Sequence, residues 1–272
     1  MSLTRSLQLL AVSAGIVAAC PELHKRQSGG VTERTWLYEN ANDWARQDPA
    51  WETCQTGTQQ SPLSLRVGES VSRLASGALL DIDYPTEMTG ELTNWGYGPS
   101  YALDHAEGDY TTLPAITFSE NGVNETVYLA SWHTHTPSEH TVDGTSTKAE
   151  LHFVHYTAAG KPRAVLGFRI DHGVENSTFF NQLPPMIPLN DTTTAVPGVV
   201  LNPMAAVQEV DNFDNFWTYQ GSLTTPPCTE GKRWFVAQEV MSMSDEQMQA
   251  LLKVSAFSAR PSQELWNHAV EA

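Results

Sequence analysis

The sequence predicts a β-dominated protein in one domain, and three observations predict it. Short apolar runs alternate with polar residues, glycine and proline punctuate them at close intervals, and helix signals are sparse. Taken in order, Ala115–Phe118, Thr126–His135, Glu150–Tyr156, Ala164–Arg169 and Arg233–Gln238 read as strands, several alternating as half-buried strands do. The clearest helix runs from Ser244 to Lys253. Ser244 can cap it, Asp245 and Glu246 sit in its first turn, and Met248, Leu251 and Leu252 are expected to share a face. A chain of 272 residues is long enough for one large or two small domains. With no flexible linker and no repeat to divide it, one domain is expected.

Charge and the amino terminus bound the setting. The formal net charge is -16 with only 17% charged residues, and no cluster of Lys and Arg is present to hold phosphates, so nucleic acid is excluded as a partner. Arg5 precedes an apolar stretch from Leu9 to Ala19 that ends in small residues and is too short to span a bilayer. Residues 1–19 are therefore read as a secretory signal, and 20–26 as a propeptide ending in the dibasic pair Lys25-Arg26. The mature protein is expected to be extracellular and without a membrane span. Asn124, Asn176 and Asn190 each open a sequon, which an exported chain offers for glycosylation.

The richest chemistry lies in Ser131-Trp132-His133-Thr134-His135-Thr136-Pro137-Ser138-Glu139-His140 and Ala149-Glu150-Leu151-His152-Phe153-Val154-His155. On a strand, residues two apart share a face, so His133 pairs with His135 on one strand, and Glu150, His152 and Val154 align on the next. Any one of these histidines could be an ordinary core residue. As a set they fit an open site for zinc, with three neutral imidazoles and a fourth position for water or substrate, and no cysteine nearby to close it.

These segments resemble the α-class carbonic anhydrases. The likeness is carried by His133-Thr134-His135, Ser138 to Gly144, Ala149 to His155, and Gly221-Ser222-Leu223-Thr224-Thr225-Pro226-Pro227-Cys228, with Gln60-Ser61-Pro62-Leu63 and the aromatic pair Trp36 and Tyr38 earlier in the chain. It runs from Trp36 to Leu265 and crosses any midpoint, so a single domain over 36–270 is expected. The resemblance implies a mostly β fold with a large twisted, mainly antiparallel central sheet and short peripheral helices. It also implies a zinc lyase that interconverts carbon dioxide and bicarbonate by attack of a zinc-bound hydroxide. Zinc lowers the pKa of its bound water to about 7, a value itself established on carbonic anhydrase.

Residue by residue, the resemblance makes His133, His135 and His152 the zinc ligands. Thr224 would donate to Glu139 and so orient the hydroxide, while Thr225 stands one step further out, towards bicarbonate. Val154, Val165, Leu223 and Trp234 would form the apolar wall for carbon dioxide. Glu150 would accept the remaining ring N–H of His152. Cys54 and Cys228 occupy the positions that are bridged in extracellular members, and a disulfide closing so long a loop would contribute roughly 4 to 5 kcal/mol. Two positions depart from the family. Ser131 stands where a glutamine commonly holds the first ligand, and Tyr97 takes the place of the proton-shuttling histidine, with His105 the nearest replacement. Tyrosine, with a pKa near 10, relays protons poorly at neutral pH, so slow turnover or dependence on small buffers is expected. The alternative is a catalytically weak or silent extracellular binding protein of the same fold; oligomeric state is left open.

Overall fold

The computed structural model describes residues 35–67, 79–266 and 268. The expected signal and propeptide lie outside them. The strands are β1 (Ser64–Leu65), β2 (Leu79–Asp83), β3 (Met88–Asn94), β4 (Pro99–Leu103), β5 (Ala115–Glu120), β6 (Val123–His135) and β7 (Thr141–Val142). They continue as β8 (Ala149–Tyr156), β9 (Pro162–Gly173), β10 (Ala195–Leu201), β11 (Phe216–Ser222), β12 (Glu230–Ala237) and β13 (Met241–Ser244). The helices are short: α1 (Trp44–Gln47), α2 (Thr53–Thr56), α3 (Met204–Gln208) and α4 (Asp245–Lys253), with 3-10 turns between.

An 11-stranded sheet dominates, its main path running β10-β3-β4-β6-β8-β9-β12-β11. Its pairings are antiparallel except that β9 runs parallel to β12 and β13. β6 is long because one of its edges serves two neighbours, its first half pairing with β5 and its second with β4, while β8 lies along the other edge. β8 lies at the centre and is buried along its whole length. That explains its composition of Leu151, Phe153 and Val154, and it obliges the polar Glu150, His152 and His155 to find partners inside the protein. One side of the sheet packs a core that includes Trp132, Phe153, Phe168, Phe179 and Phe235.

α4 begins as expected, with the Ser244 hydroxyl accepting from the Gln247 N–H. Met248 and Leu251 face inward, but Leu252 does not share their face and is 40% exposed. Its position, one residue past Leu251, turns it about 100° around the helix towards solvent. Among the described residues no helix is long and apolar enough to cross a membrane.

Candidate metal centre

The sheet register assembles the site row by row. His135 stands opposite Glu150 and then Arg169; His133 stands opposite His152 and then Gly167; Ser131 stands opposite Val154, Val165 and Trp234. Because these rows are two residues apart on each strand, all three histidines point to one face, with the apolar wall immediately beside them. One ligand atom from each of His133, His135 and His152 lies within 4.8 Å of the others, a group that could hold one metal ion.

His152 Nε2 donates to Glu150 Oε1 at 2.8 Å, which leaves its Nδ1 for the centre. His135 Nδ1 donates to the carbonyl of Ser258 at 2.7 Å. Its Nε2 is buried without a hydrogen-bond partner, as a nitrogen reserved for a cation would be. Burial pushes the pKa values of both rings below the ordinary imidazole range; for His135 the neighbouring His152 adds to the effect, and for His152 the Glu150 carboxylate opposes it. Both are therefore neutral donors, the form a metal requires.

Glu150 does more than hold His152. Its Oε1 also accepts from His140 Nδ1 at 2.6 Å, and its Oε2 from the His140 backbone N–H at 2.8 Å. The Tyr219 hydroxyl then links His140 Nε2, at 2.7 Å, to Ser61 Oγ, at 3.0 Å. Burial would raise the pKa of Glu150, but His140 and His152 outweigh it and hold the carboxyl well below its usual range. A second cluster of His140, Glu150 and His152 has metal-like spacing, yet its atoms are already bonded to one another, so it supports the centre rather than being one. Gly167 makes room for this arrangement, since a Cβ there would stand 3.2 Å from Glu150 Oε1. Nothing in local spacing signals the link from His140 to Tyr219, which lies 79 residues away in the sequence.

Glu139 is fully enclosed. Its Oε1 accepts from the Arg260 backbone N–H at 3.0 Å, and its Oε2 lies 3.6 Å from His135 Nε2. Burial pushes its pKa well up, opposed by that N–H and by the Thr224 hydroxyl, the other donor acting on the carboxyl. A divalent cation at the histidines acts in the same downward direction as these donors. Thr224 and Thr225 are buried in the turn between β11 and β12, which the Leu223 N–H closes onto the Thr229 carbonyl at 3.1 Å. The Trp234 indole N–H donates to the Ser222 carbonyl at 2.9 Å and ties the turn to the wall. Cys228 ends it in a disulfide to Cys54, as the sequence led us to expect.

Comparison with known proteins decides what this centre belongs to. The profile of the family described as eukaryotic-type carbonic anhydrase matches residues 39–269. The chain belongs to that family. A curated relative, alpha carbonic anhydrase 4 of Arabidopsis thaliana, is 31% identical over 242 residues, covering 87% of this chain and 83% of the relative. The solved fungal alpha carbonic anhydrase from Aspergillus oryzae is 28% identical with a TM-score of 0.68, covering 84% of this chain and 91% of that one. The Thermovibrio ammonificans enzyme, solved with the inhibitor sulfanilamide, is 27% identical with a TM-score of 0.69, covering 88% and 98%.

Against the carbonic anhydrase pattern, Ser131 is buried beside Val154 in the row next to His133. Tyr97 is buried, stacked on Trp36 with ring centroids 6.1 Å apart and edge-on to Tyr38 at 4.9 Å. His105 lies two residues past the end of β4, partly exposed and packed on Tyr110.

Proposed function

We propose that this carbonic anhydrase catalyses the reversible hydration of carbon dioxide to bicarbonate and a proton, with zinc held by His133, His135 and His152. The observation that carries the proposal is the convergence of three buried imidazoles on one face of the sheet, beside an apolar wall. Held by these residues, zinc would lower the pKa of water to about 7 and so would supply a nucleophile at neutral pH, as is known from carbonic anhydrase itself. The residues around it select and aim that nucleophile. With the Thr224 hydrogen committed to Glu139, the threonine oxygen can only accept, so it favours an oxygen that still carries a proton and turns that oxygen's lone pair towards the substrate. Val154, Val165, Leu223 and Trp234 offer uncharged carbon dioxide a surface without competing hydrogen bonds, and Thr225 stands beyond them as a polar contact for bicarbonate. The packing of Tyr97 between aromatic rings leaves proton export to soluble buffer.

The protein is read as secreted. Its disulfide suits an oxidising compartment, and the sequon residues Asn124, Asn176 and Asn190 are all exposed. A mass unchanged by deglycosylation of the secreted protein would remove the glycan part of this reading. A silent binding module is not favoured, because all three ligand histidines are present and brought together. Stopped-flow hydration of carbon dioxide tests the activity. Loss of turnover on chelation, its return with zinc, and its absence in His152→Ala are expected; a His152→Ala variant as active as the parent would refute the mechanism.

A further inference from the structure

Trp95 stands in the turn between β3 and β4, where its backbone N–H bonds to the Gly98 carbonyl at 3.0 Å. The turn lies so close to β6 that a Cβ on Gly98 would come within 2.7 Å of Thr134 Oγ1. That approach delivers the indole to the metal centre. Its ring is edge-on to His133, with centroids 5.5 Å apart and planes at 69°, and edge-on to His135, at 5.4 Å and 67°. The indole N–H donates to the carbonyl of Thr134, the residue between those two histidines, at 3.2 Å. The β4 ladder on β6 ends at His133, so the indole supplies the donor just past its end. Tyr97, tilted against the indole with centroids 5.1 Å apart, and Tyr38, at 6.4 Å, hold it from behind.

We propose that Trp95 is a positioning residue of this centre, fixing the ring planes of His133 and His135 through a shared edge-on contact and pinning the peptide between them. The geometry fits the task. A χ2 rotation of either imidazole would drive it into the indole, and the indole cannot yield, because its N–H is bonded and its far side is packed. His135 also has the Ser258 carbonyl, and His152 has Glu150. The contribution of Trp95 is to couple the two β6 ligands to each other, so that both are aimed before a metal arrives. This inference rests on reading the three histidines as metal ligands.

The test compares Trp95→Leu and Trp95→Phe with the parent full-length protein, measuring zinc release into excess chelator and the visible spectrum of the cobalt(II)-loaded form. Urea unfolding of the metal-free proteins monitors the fold independently. Trp95→Leu is expected to release zinc about tenfold faster, a change of about 1.4 kcal/mol, with an altered cobalt band. Trp95→Phe, which keeps a ring edge but no N–H, is expected to fall between parent and Trp95→Leu. Should Trp95→Leu fail to fold, Trp95→Phe carries the test alone. Zinc release and cobalt spectra equal to the parent's in a folded variant overturn the positioning role. A parent that binds no zinc overturns instead the ligand assignment beneath it.

Discussion

His155 sits three residues beyond the proposed ligand His152 on the fully buried β8, and its protonation should cost the fold measurable stability. The Tyr84 hydroxyl donates to its Nε2 at 2.5 Å, and burial holds that hydroxyl neutral by raising its pKa well above 10. Burial lowers the His155 pKa to about 3, against the modest opposing effect of the backbone at Ala164 and Phe153. The sign follows directly. Between this folded value and an unfolded value near 6.5, the unfolded chain binds the extra proton, so stability is complete above about pH 6.5 and falls as pH drops towards 3. The full effect approaches 5 kcal/mol, and between about pH 7.5 and pH 5 it is about 2 kcal/mol. Urea unfolding at those two pH values, for the parent and for His155→Gln, isolates the histidine from the carboxylates, because the variant keeps them and lacks only the titrating ring. The parent is expected to lose about 2 kcal/mol more than the variant over that interval. Equal losses in the two proteins would show that His155 is solvated or charged in the fold and would refute the reasoning.

Other perturbations act on the centre more directly. Glu150→Gln turns one accepting oxygen towards N–H donors as an amide NH2, so zinc affinity should fall about 10- to 100-fold in a competition titration, with the metal-free protein also losing roughly 1 to 3 kcal/mol. Unchanged affinity would mean that His152 is not held through Glu150. Reducing the disulfide, or replacing Cys54 and Cys228 with serine, frees a loop with a sequence separation of 174 and should lower stability by roughly 5 kcal/mol, read as a shift of the urea midpoint. Turnover should fall alongside it, since the bridge anchors the Thr224 turn. Tyr97→Phe should leave turnover unchanged at every buffer concentration, while the parent speeds up as imidazole buffer is added; a slower Tyr97→Phe would give the buried hydroxyl a part in proton export after all.

The strands were legible where they carry a run of apolar and β-branched residues, whether one face is wet, as in β5, or none is, as in β8. β5, β6, β8, β9 and β12 announce themselves through apolar and β-branched runs. β11 reads Phe216-Trp217-Thr218-Tyr219-Gln220-Gly221-Ser222 and is buried on both faces but for Gln220, so it carries no alternation to detect. β10 contains Pro197 and Gly198, which argue against a strand in a sequence reading. It survives because it is at the end of the sheet path and its register shifts between Val196 and Val199, where that pair falls.

For the site, the spacing of two along β6 and β8 revealed the shared face, but not the partners that make the face a centre. Ser258, Arg260 and Trp95 reach it from segments remote in the chain, and no local pattern marks a carbonyl, an N–H or an indole edge as reserved for a histidine. Nor does an unpartnered nitrogen identify a ligand by itself. His155 Nδ1 and His135 Nε2 are both buried and unpartnered, yet only His135 is in the group that could hold a metal ion. The difference is convergence: in the register of β6 and β8, His155 stands opposite Leu129, whereas His152 stands opposite His133 and one row from His135. A lone orphan nitrogen in an apolar strand is tolerated as a neutral ring with a depressed pKa. Three buried rings brought together on one face could hold a cation, and this is the distinction that the pH titration of His155 and the zinc titration of Glu150→Gln measure from opposite sides.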